Sequence, residues 1–207
     1  MSQDRFVDMA AEMANEFAAT SAEHDRTGKV PHQNLKFARH RGAPALTVPV
    51  EYGGMGANLL DFARYQERLG HGDGATALIL AMHHMLIGGE SESRLWTDGT
   101  FERVCRAALE RGALVNAVAT EPGKGSPSRG GLPDTTAAPT GGTDSAGSAV
   151  DNAWVLNGVK AYATGAPELG FLRVSARVDP PDGEAHAARF LVEMPAAGVR
   201  IVEPAWD

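Results

Sequence analysis

The hydrophobic period of this chain changes at Ala113, and that change limits the folds open to it. Before Ala113, apolar residues recur at intervals of three and four, which is typical of helices that bury one face. After it, short apolar runs are separated by turn-forming residues, which is typical of strands. The sequence therefore predicts an α+β fold, with an all-helical N-terminal domain over residues 1–112 and an antiparallel β-sheet or small barrel over residues 113–207.

The first half contains five helical patterns. The first carries an apolar stripe from Phe6 to Phe17, and the fourth is apolar nearly all round between Ala75 and Ile87, which indicates a helix buried on most sides. Asn58 is placed to cap the third helix. The five helices are predicted from residue 6 to residues 25–28, from 31 to 41, from 58 to 69, from 73 or 76 to 87, and from 100 to 111.

The second half contains short β-type runs. Residues 139–148 and 179–183 between them are rich in turn formers and are predicted to be exposed connections. The strands are predicted at residues 113–120, 134–138, 153–157, 161–164, 169–176, 187–193 and 198–202.

Charge and cysteine content argue against several kinds of partner. The net charge of −7 at pH 7 makes a nucleic acid or an anionic membrane surface a poor main partner. The single cysteine, Cys105, excludes an intramolecular disulfide and a cysteine metal cluster. The N-terminus lacks a signal-peptide pattern, and the longest apolar stretch, Ala75 to Met82, is too short to cross a bilayer. A cytoplasmic protein without a bound metal is expected.

Two adjacent histidines, His83 and His84, interrupt the apolar fourth helix. Neighbouring residues lie about 100° apart around a helix, so these imidazoles cannot form the matched pair of metal ligands that histidines four residues apart provide. Each is predicted to be a core or pocket-edge histidine rather than a catalytic one.

The first β-type run ends in a loop that contains Pro122, Gly123, Gly125, Ser126 and Pro127. Glycines allow the backbone to approach a ligand closely, and exposed N–H groups in such a loop can bind phosphate oxygens. No Lys-Ser or Lys-Thr pair completes a P-loop, so the residues alone leave an ordinary surface turn open as the alternative.

Three motifs in this chain resemble the acyl-CoA dehydrogenase family. Residues 120–126 (Thr-Glu-Pro-Gly-Lys-Gly-Ser) resemble the flavin-loop signature of that family. Residues 154–166, with Leu-Asn-Gly-Val-Lys followed by Ala-Tyr-Ala-Thr-Gly-Ala, are similar to its second flavin segment. Upstream, residues 48–56 are similar to its pro-glu-glu-tyr-gly-gly turn. The resemblance implies a helical N-terminal domain followed by a β domain that binds FAD, with FMN open as an alternative.

The resemblance also implies which residues bind the flavin. The first motif and the strand before it would contact the ring and ribityl chain, and the loop glycine and serine would contact the pyrophosphate, with Ser126 also near the acyl-CoA substrate. In the second segment, Tyr162 stands where the family has tryptophan, and tyrosine still offers a flat face for packing. The implied cofactor-binding residues are Ala117, Ala119, Thr120, Gly125, Ser126, Tyr162, Ala163 and Thr164.

Members of this family continue, after a segment like residues 202–207, into a C-terminal helical bundle that carries the catalytic glutamate. The 207 residues contain no counterpart, so the resemblance implies an incomplete or partner-dependent chain, with no catalytic residue assigned. Glu121 is not a substitute, because in the motif it belongs to the loop architecture. The expected partners are a small molecule such as an acyl-CoA, and either further copies of the chain or a separate chain supplying the bundle.

The implied activity is the α,β-dehydrogenation of an acyl thioester, as in fatty acid metabolism. Two alternatives remain open. A flavin-dependent monooxygenase of the same fold is one, because the Tyr-x-Thr-Gly-Ala form at residues 162–166 also occurs in the related dibenzothiophene-desulfurising enzymes. A non-catalytic subunit or remnant is the other, because no residue is assigned as the general base.

Overall fold

The computed structural model of this protein describes residues 4–123, 131–143 and 149–202. The chain forms two compact units. One contains the described residues of Met1–Asn116, Thr164–Phe171 and Met194–Asp207, and the other contains those of Ala117–Ala163 and Leu172–Glu193. The predicted boundary between residues 112 and 113 stays a prediction, although the last helix and the first strand do lie on either side of it.

Six α-helices lie in the first unit within the described residues, where five were predicted. The first predicted helix is two helices, because the apolar stripe ends at Phe17 and the Thr20 hydroxyl bonds the Phe17 carbonyl (3.3 Å) and Asn34 Oδ1 (3.2 Å). The helices are α1 Asp4–Ala18, α2 Ser21–Thr27, α3 His32–His40, α4 Leu59–Gly70, α5 Gly74–Ser93 and α6 Asp98–Arg111.

The helical core forms where α1 packs against α4 and α4 packs against α5. The predicted stripe of α1 is buried, with Phe6, Met13 and Phe17 each at most 6% exposed. The fourth predicted helix, α5, is buried on most sides, as its apolar composition indicated, but Leu78 and Met85 remain about half exposed (49% and 58%). The periodicity of the sequence therefore predicted this core well.

Side chains fix the beginnings of three helices. Asn58 caps α4 as predicted: its Oδ1 accepts from Asp61 N at 3.0 Å, and the Asp61 carboxylate accepts from the Asn58 N–H, which completes a capping box. Asp73 caps α5 and Thr97 caps α6, which begins at Asp98, two residues before the predicted start. These caps satisfy N–H groups that the helices cannot pair internally.

A buried polar network underlies the start of α5. The Asp73 carboxylate, 1% exposed, accepts from Thr76 N at 2.6 Å and lies 2.8 Å from His24 Nδ1. Thr76 Oγ1 accepts from Asn34 Nδ2 at 3.1 Å, and Asn34 Oδ1 accepts from Thr20. Burial alone would raise the pKa of Asp73, but its hydrogen bonds with Thr76 and His24 lower the pKa below its usual value. The network joins α2, α3 and α5 through satisfied polar groups.

The turn at residues 48–56 requires two of its glycines for different reasons. Gly53 has a φ of +91°, which glycine adopts without strain. Gly54 packs so closely on Val48 that a Cβ at this position would collide with the Val48 backbone. This turn contains a short 3₁₀ turn at Val50–Tyr52 and lies in the connection between α3 and α4.

Two elements far apart in sequence complete the helical unit. The carboxylate of Glu168, which ends a 3₁₀ turn at Ala166–Glu168, pairs with Arg39 and His32 of α3. The Glu168 carbonyl also accepts from Arg39 Nη2 at 2.9 Å, and Arg39 Nε donates to the Gly112 carbonyl at 3.1 Å. Arg39 therefore ties the end of α6 to a segment that follows it by more than fifty residues.

In the part of the chain that the structure describes, five strands form one mixed sheet, and the α+β class is as predicted. Its order is β1-β4-β2-β3, with β5 also paired to β4. The wholly antiparallel arrangement that was expected is not found, because β2 pairs with β4 in parallel (Thr136 with Arg177, Ala137 with Val178). Because β3 runs antiparallel to β2, a second reversal of the chain makes β4 run the same way as β2. The strands are β1 Leu114–Val118, β2 Thr136–Thr143, β3 Ala149–Asn157, β4 Leu169–Val178 and β5 His186–Glu193.

Three sequence predictions in the second half are wrong. Residues 161–164 are not a strand, because Tyr162 adopts a left-handed φ of +57° that ends an extended run. Residues 198–202 are not a strand either, because Gly198 (φ +82°) lies in a turn in which Val199 N bonds the Ala196 carbonyl. Of the connection predicted at residues 139–148, Pro139–Thr143 belongs to β2, since pairing with β3 outweighs its weak local preference for a strand, and residues 144–148 lie outside the described residues.

Within the described residues, no helix is both long and apolar enough to cross a membrane.

Replacing Asp73 by alanine tests the buried network. We expect a loss of about 2–3 kcal/mol of unfolding free energy, because the change removes a helix cap and leaves buried donors on Thr76 and His24 without an acceptor. Thr97→Ala, which removes the exposed cap of α6, is the matched control and should cost about 1 kcal/mol. Urea unfolding followed by circular dichroism gives both values. Equal losses would show that the buried contacts of Asp73 add nothing to its capping.

Candidate functional site

The first segment of the candidate site, residues 117–121, runs out of the end of β1. Val118 faces the core and is 3% exposed, whereas Ala117 and Ala119, on the opposite face, are only partly buried. Thr120 follows and is also partly buried. Since both alanines carry only a methyl group, this face leaves the backbone open to a close approach.

The second segment, residues 158–163, follows β3 as irregular chain. Its Tyr162 combines the left-handed φ of +57° with a side chain that is 79% exposed. A bulky residue in this conformation is strained by about 1–2 kcal/mol, and such strain persists only where the surroundings hold it. The ring of Tyr162 is thus presented to the outside from an unusual backbone position.

Direct hydrogen bonds join the two segments. Ala161 N donates to the Thr120 carbonyl at 2.9 Å, and Lys160 Nζ donates to the Ala119 carbonyl at 3.3 Å. Both contacts lie within the second unit. The structure therefore brings together two motifs that are forty residues apart in the sequence.

Glu121 forms a buried cluster of hydrogen bonds behind the two segments. Its carboxylate, 6% exposed, accepts from Lys160 Nζ at 2.8 Å, from Asp134 N at 2.7 Å, and from Thr135 through both N (2.8 Å) and Oγ1 (2.6 Å). Burial acts to raise the pKa of Glu121, but the hydrogen bonds from Lys160, Thr135 and the backbone lower it to about 2. A carboxylate held ionised in this way is unsuited to act as a general base near neutral pH.

Gly158 allows the second segment to pack on this cluster. A Cβ at this position would lie 2.6 Å from the Cα of Thr135, whose hydroxyl and N–H bind Glu121. Any larger residue would push the turn away from Thr135. The glycine of the Leu-Asn-Gly-Val-Lys motif thus has a packing role, and the lysine two residues later supplies the charge.

Of the eight cofactor-binding residues that the sequence implied, five lie in these two segments: Ala117, Ala119, Thr120, Tyr162 and Ala163. Thr164 belongs to the first unit, where its carbonyl accepts from Asn116 Nδ2 at 3.1 Å. Gly125 and Ser126 lie outside the described residues, and with them the implied pyrophosphate and substrate contacts.

The residues that are described fit a flavin. An isoalloxazine ring is flat and needs an open apolar face with polar groups at its edge. The part-exposed methyl groups of Ala117 and Ala119 offer the open apolar face. The Thr120 hydroxyl, which bonds no described residue, offers a polar group for the edge of the ring. The exposed ring of Tyr162 adds a flat aromatic surface.

The two histidines of α5 are fully buried, and they differ in their partners. His83 Nε2 lies 2.8 Å from the Pro44 carbonyl, and its Nδ1 accepts from Val115 N at 3.1 Å, so both nitrogens are satisfied, as expected of a core histidine. Burial lowers the pKa of His83 to about 4, although the Pro44 carbonyl acts to raise it. The imidazole nitrogens of His84 have no hydrogen-bond partner among the described residues, and the ring packs edge-on against Phe62 and Tyr65.

Lys160 belongs to a motif recognised in the sequence, but no role was predicted for it, and no role was predicted for Thr135. The pairing of Lys160 with Glu121 was not predicted, because the partners are 39 positions apart and their contact depends on the sheet. The sequence did contain one indication of this pair, since two motifs assigned to one site carry residues of opposite charge, Glu121 and Lys160. Among the described residues, no group of three or more His, Cys, Asp and Glu side chains is placed to hold a metal ion.

Comparison with known proteins now identifies the family. The family model described as "Acyl-CoA dehydrogenase, N-terminal domain" matches residues 1–121, so this chain belongs to the acyl-CoA dehydrogenase family. The putative acyl-CoA dehydrogenase YdbM of Bacillus subtilis (strain 168) is 33% identical over 205 residues, which cover 99% of this chain and 50% of that protein. The chain spans about half the length of the curated relatives it matches.

Solved structures agree with the fold. KijD3, in its complex with FMN and a dTDP-linked amino sugar, is 28% identical with a TM-score of 0.76, and the match covers 96% of this chain and 46% of that one. The dibenzothiophene monooxygenase TdsC from Paenibacillus sp. A11-2 has a TM-score of 0.77 over 98% of this chain and 47% of its own. At 22% identity, the likeness to TdsC concerns the fold alone. The predicted resemblance and α+β class are confirmed.

The lowered pKa of Glu121 predicts a particular loss of stability in acid. Its folded-state pKa of about 2 lies below the ordinary 4.5, so its contribution is complete above about pH 5 and disappears as the pH falls towards 2. That difference corresponds to about 3 kcal/mol. We expect Glu121→Gln to be less stable than the wild type at pH 7 and to approach it near pH 2.

Chemical unfolding at a series of pH values measures this convergence. Asp179→Asn is the control, because Asp179 pairs with Arg177 in the same unit but is 56% exposed. Its unfolding free energy should follow the wild type at every pH. Parallel curves for Glu121→Gln and wild type would contradict the role assigned to this carboxylate.

Proposed function

We propose that this chain binds a flavin and forms the flavin-binding part of an oxidoreductase that introduces an α,β double bond into an acyl thioester. FAD is the proposed cofactor, with FMN as the alternative. One observation carries the proposal: Thr120 and Ala161, one from each of the two motifs that resemble the family's flavin segments, lie in one unit and are joined by a hydrogen bond. Membership of the acyl-CoA dehydrogenase family and the similarity to YdbM support it.

Each residue of the two segments has a proposed part. Ala117 and Ala119 leave backbone groups accessible at the edge of the ring, and Thr120 offers a hydroxyl to it. Tyr162 packs its ring against the flat face of the flavin, and the backbone of Ala163 borders it. Thr164, and the phosphate and substrate contacts of Gly125 and Ser126, are proposed from the motif alone.

A bound flavin supplies the electron-pair acceptor for hydrogen removed from the substrate. The protein orients that acceptor and holds it apart from water. We assign no general base to this chain, and Glu121 is excluded because its four hydrogen bonds and low pKa leave it unable to accept a proton near neutral pH. The base is proposed to lie in the part of the assembled protein that corresponds to the second half of the matched relatives.

The proposal extends to partners and location. Further copies of the chain, or a separate chain with the helical bundle, are proposed to complete the site. The exposed Leu78 and Met85 of α5 and the exposed Leu59 at the start of α4 are apolar residues that such a partner would cover. A cytoplasmic location is part of the same proposal.

A flavin-dependent monooxygenase is the second candidate. Two observations favour it: the Tyr-x-Thr-Gly-Ala sequence at residues 162–166, and the likeness to KijD3, whose structure contains FMN. A non-catalytic flavin-binding subunit is the third, because no base is assigned.

Flavin titration of the 207-residue chain tests the shared part of these candidates. We expect saturable quenching of flavin fluorescence, with FAD and FMN compared in parallel. Thr120→Ala and Tyr162→Ala should each weaken binding about tenfold, since each removes one polar or stacking contact. Asp179→Asn changes an exposed side chain of the same unit outside both motifs, and it is the control that should bind as the wild type does. Absence of saturable binding would contradict the proposed flavin site.

A second experiment separates the two activities. Anaerobic bleaching of protein-bound flavin by an acyl-CoA is expected if the chain, with any partner it requires, is a dehydrogenase. Oxygen consumption that depends on externally reduced flavin is the result expected of a monooxygenase. Bleaching without any need for reduced flavin supports the first candidate, and the opposite pattern replaces it with the second.

A further inference from the structure

We propose that Lys160 is a positioning residue: its buried ion pair with Glu121 fixes the two proposed flavin segments against each other and thereby sets the affinity for flavin. This inference rests on the proposed function for its ligand, but the geometry that supports it belongs to the protein alone. We call the Glu121–Lys160 pair, with Thr135, the clamp.

The clamp connects three parts of the second unit. Glu121 ends the first segment, Thr135 directly precedes β2, and Lys160 lies in the second segment. Lys160 Nζ binds both the Glu121 carboxylate (2.8 Å) and the Ala119 carbonyl (3.3 Å). The Lys160 ammonium group therefore binds the carbonyl of Ala119, which is one proposed flavin contact. Lys160 also lies two residues before Tyr162, which is another.

The environment of this pair differs from that of an ordinary surface ion pair. The side chains of Lys160 and Glu121 are 11% and 6% exposed, whereas those of Arg177 and Asp179, an ion pair of the same unit, are 34% and 56% exposed. Exposed pairs contribute little to stability, and a buried pair costs desolvation that well-packed apolar residues would avoid. Retention of a buried pair is therefore better explained by the one arrangement it enforces than by stability.

The Glu121–Lys160 ion pair also helps to keep the backbone of Tyr162 in a strained conformation. Tyr162 keeps a left-handed φ of +57°, although it is 79% exposed and its side chain has little around it to hold it. The two residues before it are the anchored ones, Lys160 through its side chain and Ala161 through its N–H to Thr120. Strain of this kind survives only where neighbours fix the chain: the clamp and the Thr120 carbonyl fix it before Tyr162, and the hydrogen bond from Asn116 to the Thr164 carbonyl fixes it after.

Four variants of the 207-residue chain test the inference. Lys160→Met removes the charge and leaves Glu121 buried without its counter-ion. Glu121→Gln combined with Lys160→Met removes both charges and avoids that penalty, so it remains informative if the single variant does not fold. Lys160→Arg keeps the charge and serves as the conservative rescue. Arg177→Met breaks the exposed pair of the same unit and is the matched control.

Two readouts are measured on each variant, together with the free energy of unfolding. The first is flavin affinity by fluorescence titration. The second is hydrogen exchange of the Ala161 N–H, which reports the hydrogen bond between the two segments without any ligand. We expect the double variant to recover most of the stability that Lys160→Met loses, yet to bind flavin about tenfold more weakly and to exchange the Ala161 N–H about tenfold faster than the wild type. Lys160→Arg should restore most of both, and Arg177→Met should change neither.

The outcomes separate this inference from the proposed function. If the double variant binds flavin as tightly as the wild type, or if Arg177→Met loses as much affinity, the positioning role of Lys160 is overturned. If the wild type binds no flavin, the proposed function fails, and with it the link between the clamp and flavin. Exchange of the Ala161 N–H then decides the remaining claim: faster exchange in the double variant upholds the clamp, and unchanged exchange overturns it.

Discussion

The second unit depends on one buried carboxylate. Glu121 is placed where burial opposes its charge, and it remains ionised because an ammonium group, a hydroxyl and two backbone N–H groups all donate to it. These donors come from separate parts of the chain, so satisfying the charge and assembling the unit are the same event. Position 158 has to be glycine for the turn to reach Thr135. The geometry of the proposed site is therefore a consequence of how a single charge is accommodated.

The helical unit solves a similar problem in a different way. Asp73 is also buried and ionised, but its partners are the start of its own helix and one histidine, so its effect stays local to the junction of α2, α3 and α5. Glu168 extends this pattern by joining Arg39 and His32 from a distant part of the sequence. In both units carboxylates hold elements together, while apolar packing supplies most of the stabilisation.

The sequence was sufficient for elements with a clear period or a clear cap. The stripe of α1, the all-round apolar character of α5 and the Asn58 cap follow from local rules, and each is found in the structure. Sequence patterns were insufficient where tertiary contacts determine the structure. The strand β2 continues through Pro139 because β3 lies beside it, and the predicted strand at residues 161–164 is interrupted by a backbone angle that tyrosine rarely adopts. The candidate site residues were predicted from motif resemblance. The contact between Lys160 and Glu121 could not be predicted in this way, because it depends on the order of the strands in the sheet.

The two units are not consecutive pieces of chain. The polypeptide leaves the helical unit after Asn116, re-enters it for Thr164–Phe171, and returns a second time at Met194. Arg39 of α3 is therefore synthesised long before Glu168, its ion-pair partner, which lies 129 positions further along the chain. A fragment ending between residues 112 and 163 would contain all six described helices and still lack this contact. Completion of this contact in the first unit therefore requires prior synthesis of residues 117–163, which belong to the second unit.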